Sequence, residues 1–458
     1  KRAKGQFIMF LDNAIIVTPN YMDKMLEAFV LNDKVGAVGP LFNNIAGQAM
    51  DGCKGKESLV EYSKMIKNNN KHIYSKRLSL HGSCLLLKKE VVNDVGKFDY
   101  NMENMAIWDD LSCRLILAGY NLILSADTYV FNLGEPFLRQ SYSNFIKKWG
   151  FDFFYSNGCR FDLLNMMNLK LNKINILEIG CACGGTLLEI SNRNNTANLY
   201  GIEINKNAAN IAKMFANVSS ADIENGDLPY ERLFFDYVIF GDVLEHLYNP
   251  QKVLENIKPY LKEDGKIIAS IPNIQHWTII EELLNGYWTY TKAGILDETH
   301  LRFFTQTEIT KMFDEAGYNV KKYVGNDIGI SESGKALLEK MLKCNIIDNV
   351  DDFMAYQWFV EADKKYIIDG NDEKELAYLL RRIDNETAKE DSFISIMKFI
   401  IDKNITTKIL LNLIEVTTIN KTAVIIFIAV NLYQKGESKI ALEFLIHAYK
   451  KYNDDLEI

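Results

Sequence analysis

Several features are scarce in this chain of 458 residues, and each scarcity argues against a class of protein. The chain has six histidines, and none of its seven cysteines forms a Cys-x-x-Cys pair, so we expect no zinc or other metal site. The longest purely apolar run, Ala423–Val430, is far shorter than the roughly 20 residues that cross a bilayer, so we expect no transmembrane segment. Acidic residues (60) outnumber basic ones (52), so the positive field that attracts nucleic acid is missing. The odd number of scattered thiols is typical of a reducing, cytoplasmic compartment.

The composition is that of a globular protein, with 48% apolar and 24% charged residues. We predict an α/β multidomain protein in three parts: residues 1–160 with short alternating strands and helices, residues 172–330 with strict strand–helix alternation, and an all-α region at 335–458. We expect the joints at residues 163–172 and 331–335. Because the chain opens on Lys1 rather than Met, we also expect it to be an N-terminally truncated fragment.

The middle part predicts a doubly wound parallel sheet, because short apolar strands alternate with helical stretches. The predicted strands are Asn175–Ile179, Leu199–Ile204, Val218–Ala221, Phe235–Gly241 and Lys266–Ile271. Acidic residues stand at or next to four of the strand ends, namely Glu178, Glu203, Asp222 and Asp242. Ligands of such sheets bind at the carboxyl ends of the strands, so these carboxylates are candidate cofactor ligands.

The small-residue loop Gly180–Gly185 joins the first of these strands to a helix. Small residues let a ligand approach the backbone, and the free N–H groups of the helix N-terminus face it. The loop alone fits a loosened dinucleotide pattern, a loosened methyltransferase pattern, or a packing turn with no ligand.

Four segments taken together resemble class I S-adenosylmethionine-dependent methyltransferases, in order and at normal spacing. They are Ile176–Gly184, Leu199–Asn205, Phe235–Leu247 and Asp264–Asn273. The resemblance implies a Rossmann-like domain with S-adenosylmethionine as its cofactor. It also implies ligands for the methionine end (Glu178, Gly180, Gly184), the ribose (Glu203) and the adenine (Asp222, Ile223), with Asp242 turning the backbone toward the methionine amino group. Ala182 stands where the family more often has glycine.

The long connection 274–305 resembles the lid of methyltransferase domains that are fused to glycosyltransferases. It is rich in aromatic residues, which suit the apolar face of a sugar or aromatic acceptor, and a packing cap is the alternative. We expect His276 and Trp277 to contact the acceptor, and Arg302 to hold an acidic group on it or to pair with Glu298. Transfer to a hydroxyl needs a proton acceptor, for which His246 and His300 are the first candidates; a hydrogen-bonded structural role is the alternative for each.

The first part resembles the C-terminal half of family 2 glycosyltransferases, which have the GT-A fold. The matching segments include Gly5–Pro19, Val35–Pro40, His81–Glu90 and Asp109–Tyr120. The family holds a divalent metal with paired carboxylates, but here Asp12 is followed by Ala14 where the second carboxylate belongs. We therefore expect this domain to be inactive in sugar transfer, with Asp109 and Asp110 as its remaining acidic candidates; solvated surface carboxylates are the alternative for them.

The end of the chain resembles one tetratricopeptide repeat, with Gly436 between two helices and small residues such as Ala429, Ala441 and Ala448 at the family's spacing. This implies a surface for a protein partner or for self-association, and a plain helical cap is the alternative.

Three functions remain open on the sequence. The first is a methyltransferase acting on a saccharide, nucleotide sugar or glycan in bacterial surface-polysaccharide biosynthesis. The second is a bifunctional glycosyltransferase-methyltransferase whose sugar-transfer half is truncated here. The third is a non-enzymatic scaffold.

Overall fold

A computed structural model describes residues 4–30, 32–49, 74–103, 105–134, 142–226, 228–365, 370–402 and 405–452. The chain divides into two compact units, Lys1–Lys364 and Lys365–Ile458. Across the described ranges, no helix combines the length and apolarity needed to cross a membrane. Of the seven cysteines, Cys53 lies outside the described residues.

The first unit begins with a mixed sheet of six strands in the order β1-β5-β3-β6-β2, and β4 also pairs with β6. Only the pair β3–β6 is parallel, and the other pairs are antiparallel. The strands are β1 Phe7–Leu11, β2 Ile15–Val17, β3 Val35–Leu41, β4 Tyr74–Arg77, β5 Cys84–Lys88 and β6 Asn121–Asn132. The accompanying helices are Tyr21–Glu27, the 3-10 turn Ala28–Val30, Lys89–Val95 and Ala106–Leu117. This part is α/β, as predicted, while the GT-A assignment stays a prediction.

The same unit continues into a sheet of seven strands in the order β12-β13-β11-β10-β7-β8-β9. The strands are β7 Asn175–Ile179, β8 Asn198–Glu203, β9 Asn217–Ser220, β10 Phe235–Gly241, β11 Leu261–Pro272, β12 Tyr318–Asp327 and β13 Ala355–Lys364. β7 to β11 pair in parallel, and β13 runs antiparallel to both of its neighbours. Apolar cores cover both faces, so the predicted doubly wound sheet is confirmed.

Helices connect the strands of this second sheet and pack on its faces. They are Gly185–Arg193, Lys206–Ala212, Pro250–Ile257, Trp277–Leu284, Gln306–Glu315, Glu332–Lys343 and Asp351–Met354, with 3-10 turns at Leu244–His246 and Lys258–Tyr260. Pro250 opens its helix at the first turn, where a missing N–H costs nothing, and Asn249 caps it. Each parallel strand therefore delivers its carboxyl end to one edge of the sheet.

The predicted boundaries of the middle part differ from the structure at both ends. β13, which we assigned to the helical region at 335–458, lies inside the sheet between β11 and β12, so the sheet extends to Lys364. The expected joint at 331–335 instead opens a helix, with Ser331 as its N-cap. The expected linker at 163–172 contributes Leu163 and Leu164, both at most 1% exposed, to the core. Apolar burial, which the polar and Met-rich composition hid, fixes this segment in place.

Three short helices join the two sheets: Ser143–Trp149, Phe153–Ser156 and Phe161–Leu164. The main-chain carbonyls of Trp149 and Gly150 accept hydrogen bonds from Asn207 and Asn205, each at 2.7 Å. The N–H of Cys183 donates to the carbonyl of Ser156 at 2.9 Å. These bonds hold the segment against the loops at the carboxyl edge of the second sheet.

In the described residues of the second unit, all regular secondary structure is helical. Its helices are Gly370–Asp384, Lys389–Asp402, Thr407–Thr417, Lys421–Gln434 and Ser438–Lys451, and a helical C-terminal region is therefore confirmed. They share an apolar core that includes Leu380, Ile396, Leu410 and Phe444. Gly436 has a φ of 91°, a conformation that glycine adopts at little cost, in the turn between the last two helices. The tetratricopeptide assignment remains a prediction.

Candidate functional site

The turn after β7 brings the backbone of several small residues to the carboxyl edge of the sheet. Gly180 and Gly184 have φ values of 68° and 79°, and Gly184 precedes the helix Gly185–Arg193. A Cβ atom on Gly180 would lie 2.7 Å from the Val243 side chain, and one on Gly185 would lie 2.4 Å from the carbonyl oxygen of Gly158. Glycine is therefore required here both for the backbone angles and for close packing.

Glu178, the penultimate residue of β7, is a buried carboxyl group that is only 4% exposed. Among the described residues, its Oε2 atom has no hydrogen-bond partner. Burial raises the pKa of Glu178 to about 8, although a hydrogen bond from Thr186 opposes the shift. A buried carboxyl with an open oxygen suits a cationic ligand group, which would favour its ionised form.

Glu203 ends β8 and turns its carboxylate toward the turn Gly180–Gly185. We call this turn, together with Glu178 and Glu203, the cofactor corner. Oε2 accepts the N–H of Ala182 and Oε1 accepts the N–H of Asn205, each at 2.7 Å. These bonds hold Ala182, which has a φ of 48°, in the left-handed region that non-glycine residues rarely adopt. Each oxygen keeps a second lone pair, so the carboxylate remains able to accept a ligand hydroxyl.

Asp222 and Ile223 lie in the loop that follows β9. The carboxylate of Asp222 accepts the N–H of Glu224 at 2.9 Å and the amide of Asn225 at 2.7 Å, which shapes the loop. Ile223 packs against the main core and lines a cavity of about 320 Å³. The N–H of Ala221, directly before them, donates to the carbonyl of Glu203 at 3.2 Å, which places this loop beside the end of β8, and their contact with adenine stays a proposal.

Asp242 follows β10 with a φ of 54° and lies in a polar network. Oδ1 accepts hydrogen bonds from Ser270 Oγ at 2.7 Å and from Gln357 Nε2 at 2.9 Å, and Oδ2 accepts one from Arg160. Burial would lower the pKa of Arg160, but Asp242 and Asp162 raise it overall. Sequence reasoning missed Arg160 and Gln357, because they come from a linking segment and from the last strand, outside the predicted domain.

His246 and His300 come together although they lie 54 positions apart in the chain. Their ring centroids are 4.8 Å apart and the rings meet edge to face. Burial lowers the pKa of His246, so this ring is neutral at pH 7. Next to them, Glu245 is 1% exposed, and burial together with Asp242 raises its pKa well above the ordinary value. The two histidines predicted as proton acceptors thus share one location.

His276 and Trp277 need a correction, because the structure buries them away from an open acceptor surface. His276 is 0% exposed, and its Nδ1 lies 2.8 Å from Thr278 Oγ1 at the start of the helix Trp277–Leu284. Burial lowers its pKa to about 4. Trp277 is 8% exposed and packs in an apolar cluster with Leu338 and Phe353. Their positions favour helix capping and core packing over contact with an acceptor.

Arg302 is engaged with the main chain. Its guanidinium donates to the carbonyl oxygens of Tyr248 at 2.6 Å and Leu301 at 2.8 Å. Its own N–H donates to the carbonyl of Glu245 at 3.0 Å. These contacts fasten the end of the 274–305 connection to the turn that carries His246. Arg302 therefore helps to position His246 relative to His300.

The exposed aromatic side chains of the connection are Tyr287, Trp288 and Tyr290, with exposures of 63%, 41% and 53%. Trp288 and Tyr290 lie beside Phe303, at centroid distances of 5.7 and 6.5 Å. Phe303 in turn lies 6.4 Å from His300. The 274–305 connection therefore supplies an aromatic surface near His300. Tyr287, Trp288 and Tyr290 form it, and not the predicted His276 and Trp277.

Comparison with known proteins identifies the middle of the chain. Residues 156–323 match the family model of a methyltransferase domain. This region is a methyltransferase domain. S-adenosylmethionine is its cofactor.

The curated relatives include the ubiquinone biosynthesis O-methyltransferase of Aeromonas salmonicida, which is 24% identical over 156 residues, or 33% of this chain. The match spans 65% of that relative's length. The enzyme of the same name from Coxiella burnetii is 23% identical over 36% of this chain and 74% of its own. Among solved structures, a SAM dependent methyltransferase from Archaeoglobus fulgidus is 18% identical, with a TM-score of 0.33, over 48% of this chain and 98% of that one.

The residues of the corner fit S-adenosylmethionine. Glu178 would offer its buried open oxygen to the α-ammonium group, and the left-handed backbone of Gly180 and Gly184 shapes the turn that would meet the methionine end. At the next strand end, Glu203 would offer its remaining lone pairs to the ribose hydroxyls. When bound, the cofactor supplies a methyl group on a sulfonium centre.

We expect cofactor binding to release about one proton at pH 6.5. With a pKa of about 8, Glu178 is protonated in the free methyltransferase domain, and a cation beside it would favour ionisation. The affinity should therefore rise with pH up to about 8. Calorimetric titration in buffers of different ionisation enthalpy measures the released proton.

Glu178→Gln is the matched control, because it keeps the shape of the side chain and cannot ionise. It should abolish the buffer dependence and weaken binding. Equal apparent enthalpies of binding to the unsubstituted protein in every buffer would contradict the role assigned to Glu178.

Proposed function

We propose that this chain transfers a methyl group from S-adenosylmethionine to a hydroxyl oxygen of a saccharide, nucleotide sugar or glycan, in bacterial surface-polysaccharide biosynthesis. The observation that carries the transfer chemistry is the shared location of the cofactor corner and the His246–His300 pair. Val243, one turn before His246, lies against Gly180. The curated relatives are O-methyltransferases by name, which supports an oxygen acceptor.

In this proposal the protein orients the acceptor and receives its proton. The exposed aromatic side chains Tyr287, Trp288 and Tyr290 would pack on the apolar face of a sugar ring. His246 or His300 would accept the hydroxyl proton as the oxygen attacks, because a neutral imidazole can take a proton at pH 7. The resemblance of residues 1–160 to a glycosyltransferase supports a saccharide.

A phenolic hydroxyl is the second candidate acceptor, since ubiquinone biosynthesis appears in the relatives' names. The deciding experiment incubates the chain with methyl-labelled cofactor and two panels, one of nucleotide sugars and oligosaccharides and one of catechols. Label in the sugar panel supports the proposal, and label confined to the catechols replaces the acceptor class. If the chain binds no cofactor at millimolar concentration in calorimetry, the whole proposal fails and the scaffold function returns.

We further propose that the N-terminal sheet no longer transfers sugar. Asp12 Oδ1 accepts the N–H of Ala14 at 3.1 Å, so it shapes its own turn. Asp110 is 0% exposed and pairs with Arg114 at 2.8 Å and Lys148 at 2.6 Å, which makes it part of a buried ion cluster rather than a solvated surface group. We expect no sugar release from nucleotide sugars with Mn²⁺. Measurable release would favour the bifunctional enzyme instead.

A further inference from the structure

Beside the cofactor corner, three side chains form a cluster that a proton acceptor alone does not explain. One ligand atom each of Glu245, His246 and His300 lies within 4.8 Å of the other two. Glu245 is 1% exposed, and among the described residues neither of its carboxylate oxygens has a hydrogen-bond partner. Burying an uncompensated carboxylate costs several kcal/mol, so the group either stays protonated or faces a cation.

The two imidazole rings are held in the orientation that metal-binding histidines use. Nδ1 of His246 lies 3.2 Å from the carbonyl oxygen of Thr299, and Nδ1 of His300 lies 2.9 Å from that of Ile295. A proton on each Nδ1 would donate to these carbonyls and leave the Nε2 lone pairs for a ligand. Ligating histidines commonly donate their other N–H to such an oxygen, which fixes both tautomer and ring direction.

The loops that carry the cluster are fastened to each other. The carbonyl of Glu245 accepts the N–H groups of Leu301 and Arg302, at 2.8 and 3.0 Å. Asp297, which interacts electrostatically with both histidines, accepts two hydrogen bonds from Thr299. The cationic side chain of Arg160 forms ion pairs with Asp242 and Asp162. Asp242 and Asp297 therefore place negative charge beside the cluster, which favours a bound cation, and Arg160 offsets part of that charge.

Contrary to the expectation from the few histidines and unpaired cysteines, we propose that Glu245, His246 and His300 bind one divalent transition-metal ion. Zn²⁺ is a cation that two imidazoles and a carboxylate fit well. The inference rests on the proposed function and changes one part of it: His246 and His300 hold the metal ion and no longer accept the proton. Three protein ligands leave a coordination position open for the acceptor hydroxyl, whose proton a metal makes easier to lose.

With the metal ion bound, methyl transfer needs no free imidazole as the base. The metal-bound hydroxyl gives its proton to water, and the resulting oxygen forms a bond to the methyl carbon. The carbon–sulfur bond breaks, and its electron pair stays on sulfur. The cluster thereby replaces a histidine base by metal-assisted ionisation of the acceptor.

The test measures metal binding without the methyl-transfer reaction. The full chain, free of any affinity tag, is dialysed against a chelator and titrated with Zn²⁺, and with Co²⁺ for its visible absorption. We expect about one ion per chain, with Co²⁺ bands typical of nitrogen and oxygen ligands. His300→Gln and Glu245→Gln should each weaken binding at least tenfold, whereas His276→Asn, which replaces a buried histidine outside the cluster, should leave it unchanged.

Cofactor binding separates a lost site from a lost fold. A variant that still binds S-adenosylmethionine and no longer binds metal supports the cluster. No stoichiometric binding by the unsubstituted chain overturns the inference and leaves Glu245 as a protonated acid. Metal binding by a chain that takes up no S-adenosylmethionine would overturn the proposed function and uphold the metal site.

Discussion

Replacing Glu203 with alanine should weaken S-adenosylmethionine binding at least about tenfold, or about 1.4 kcal/mol. The substitution removes the carboxylate that the two ribose hydroxyls would meet, and hydrogen bonds to a charged acceptor are each worth about 1.5–3 kcal/mol. It also removes the acceptor for the N–H of Ala182, whose left-handed backbone depends on that bond. Calorimetric titration with the cofactor measures the loss.

The matched control is Glu339→Ala, because Glu339 is exposed on a helix and pairs only with Lys343 four residues later among the ion pairs of the described residues. It should leave cofactor affinity unchanged. Glu203→Gln separates charge from shape: it should bind more weakly than the unsubstituted protein while the domain keeps its melting temperature within a few degrees. If Glu203→Ala binds the cofactor as tightly as the control variant does, Glu203 is not a cofactor ligand.

The predicted strands of the middle part agree with the structure because each is a short, mostly apolar run, and four of them have an acidic residue at or next to their end. β7 and β10 have the bounds that the sequence predicts, Asn175–Ile179 and Phe235–Gly241. Local pattern is enough there, since parallel central strands are buried on both faces. The small-residue turn then follows from the glycines themselves.

β13 could not be predicted in the same way. Its sequence, Ala355–Lys364, mixes apolar, polar and charged residues, and a helix precedes it. Its place between β11 and β12 depends on pairing with segments distant in the chain, such as Ile268 with Glu361. Long-range pairing of this kind leaves no local signal, so we assigned the segment to the helical region.

The candidate site shows the same division between local and distant information. Glu178 and Glu203 follow from strand ends, whereas Arg160 reaches Asp242 across 82 residues. The choice among histidines also required the structure: His276 and His300 lie on the same connection, but helix packing buries the first and a turn directs the second to His246. The buried carboxyl of Glu245 gave no sign in the sequence beyond its place next to His246.

Replacing His300 with alanine should lower the rate of methyl transfer at least about 100-fold and leave cofactor affinity unchanged. General-base assistance contributes about 10²–10⁴-fold to such reactions, and loss of a metal ligand would have an effect of similar size. His300 interacts with His246 and with the carbonyl of Ile295, while the cofactor ligands come from other strand ends. Single-turnover rates with labelled cofactor, compared with calorimetric affinity, separate the two effects.

His276→Asn is the matched control, because asparagine can still cap the helix at Trp277–Leu284. It should keep the rate within a few-fold of the unsubstituted protein. The two explanations of the His300 effect then diverge. If the histidines act as bases, the rate falls as pH drops through the lowered pKa of His246 and chelators have no effect. If they bind a metal, a chelator abolishes transfer and Zn²⁺ restores it. A His300→Ala variant as fast as the control would contradict both, and would move acceptor activation away from this cluster.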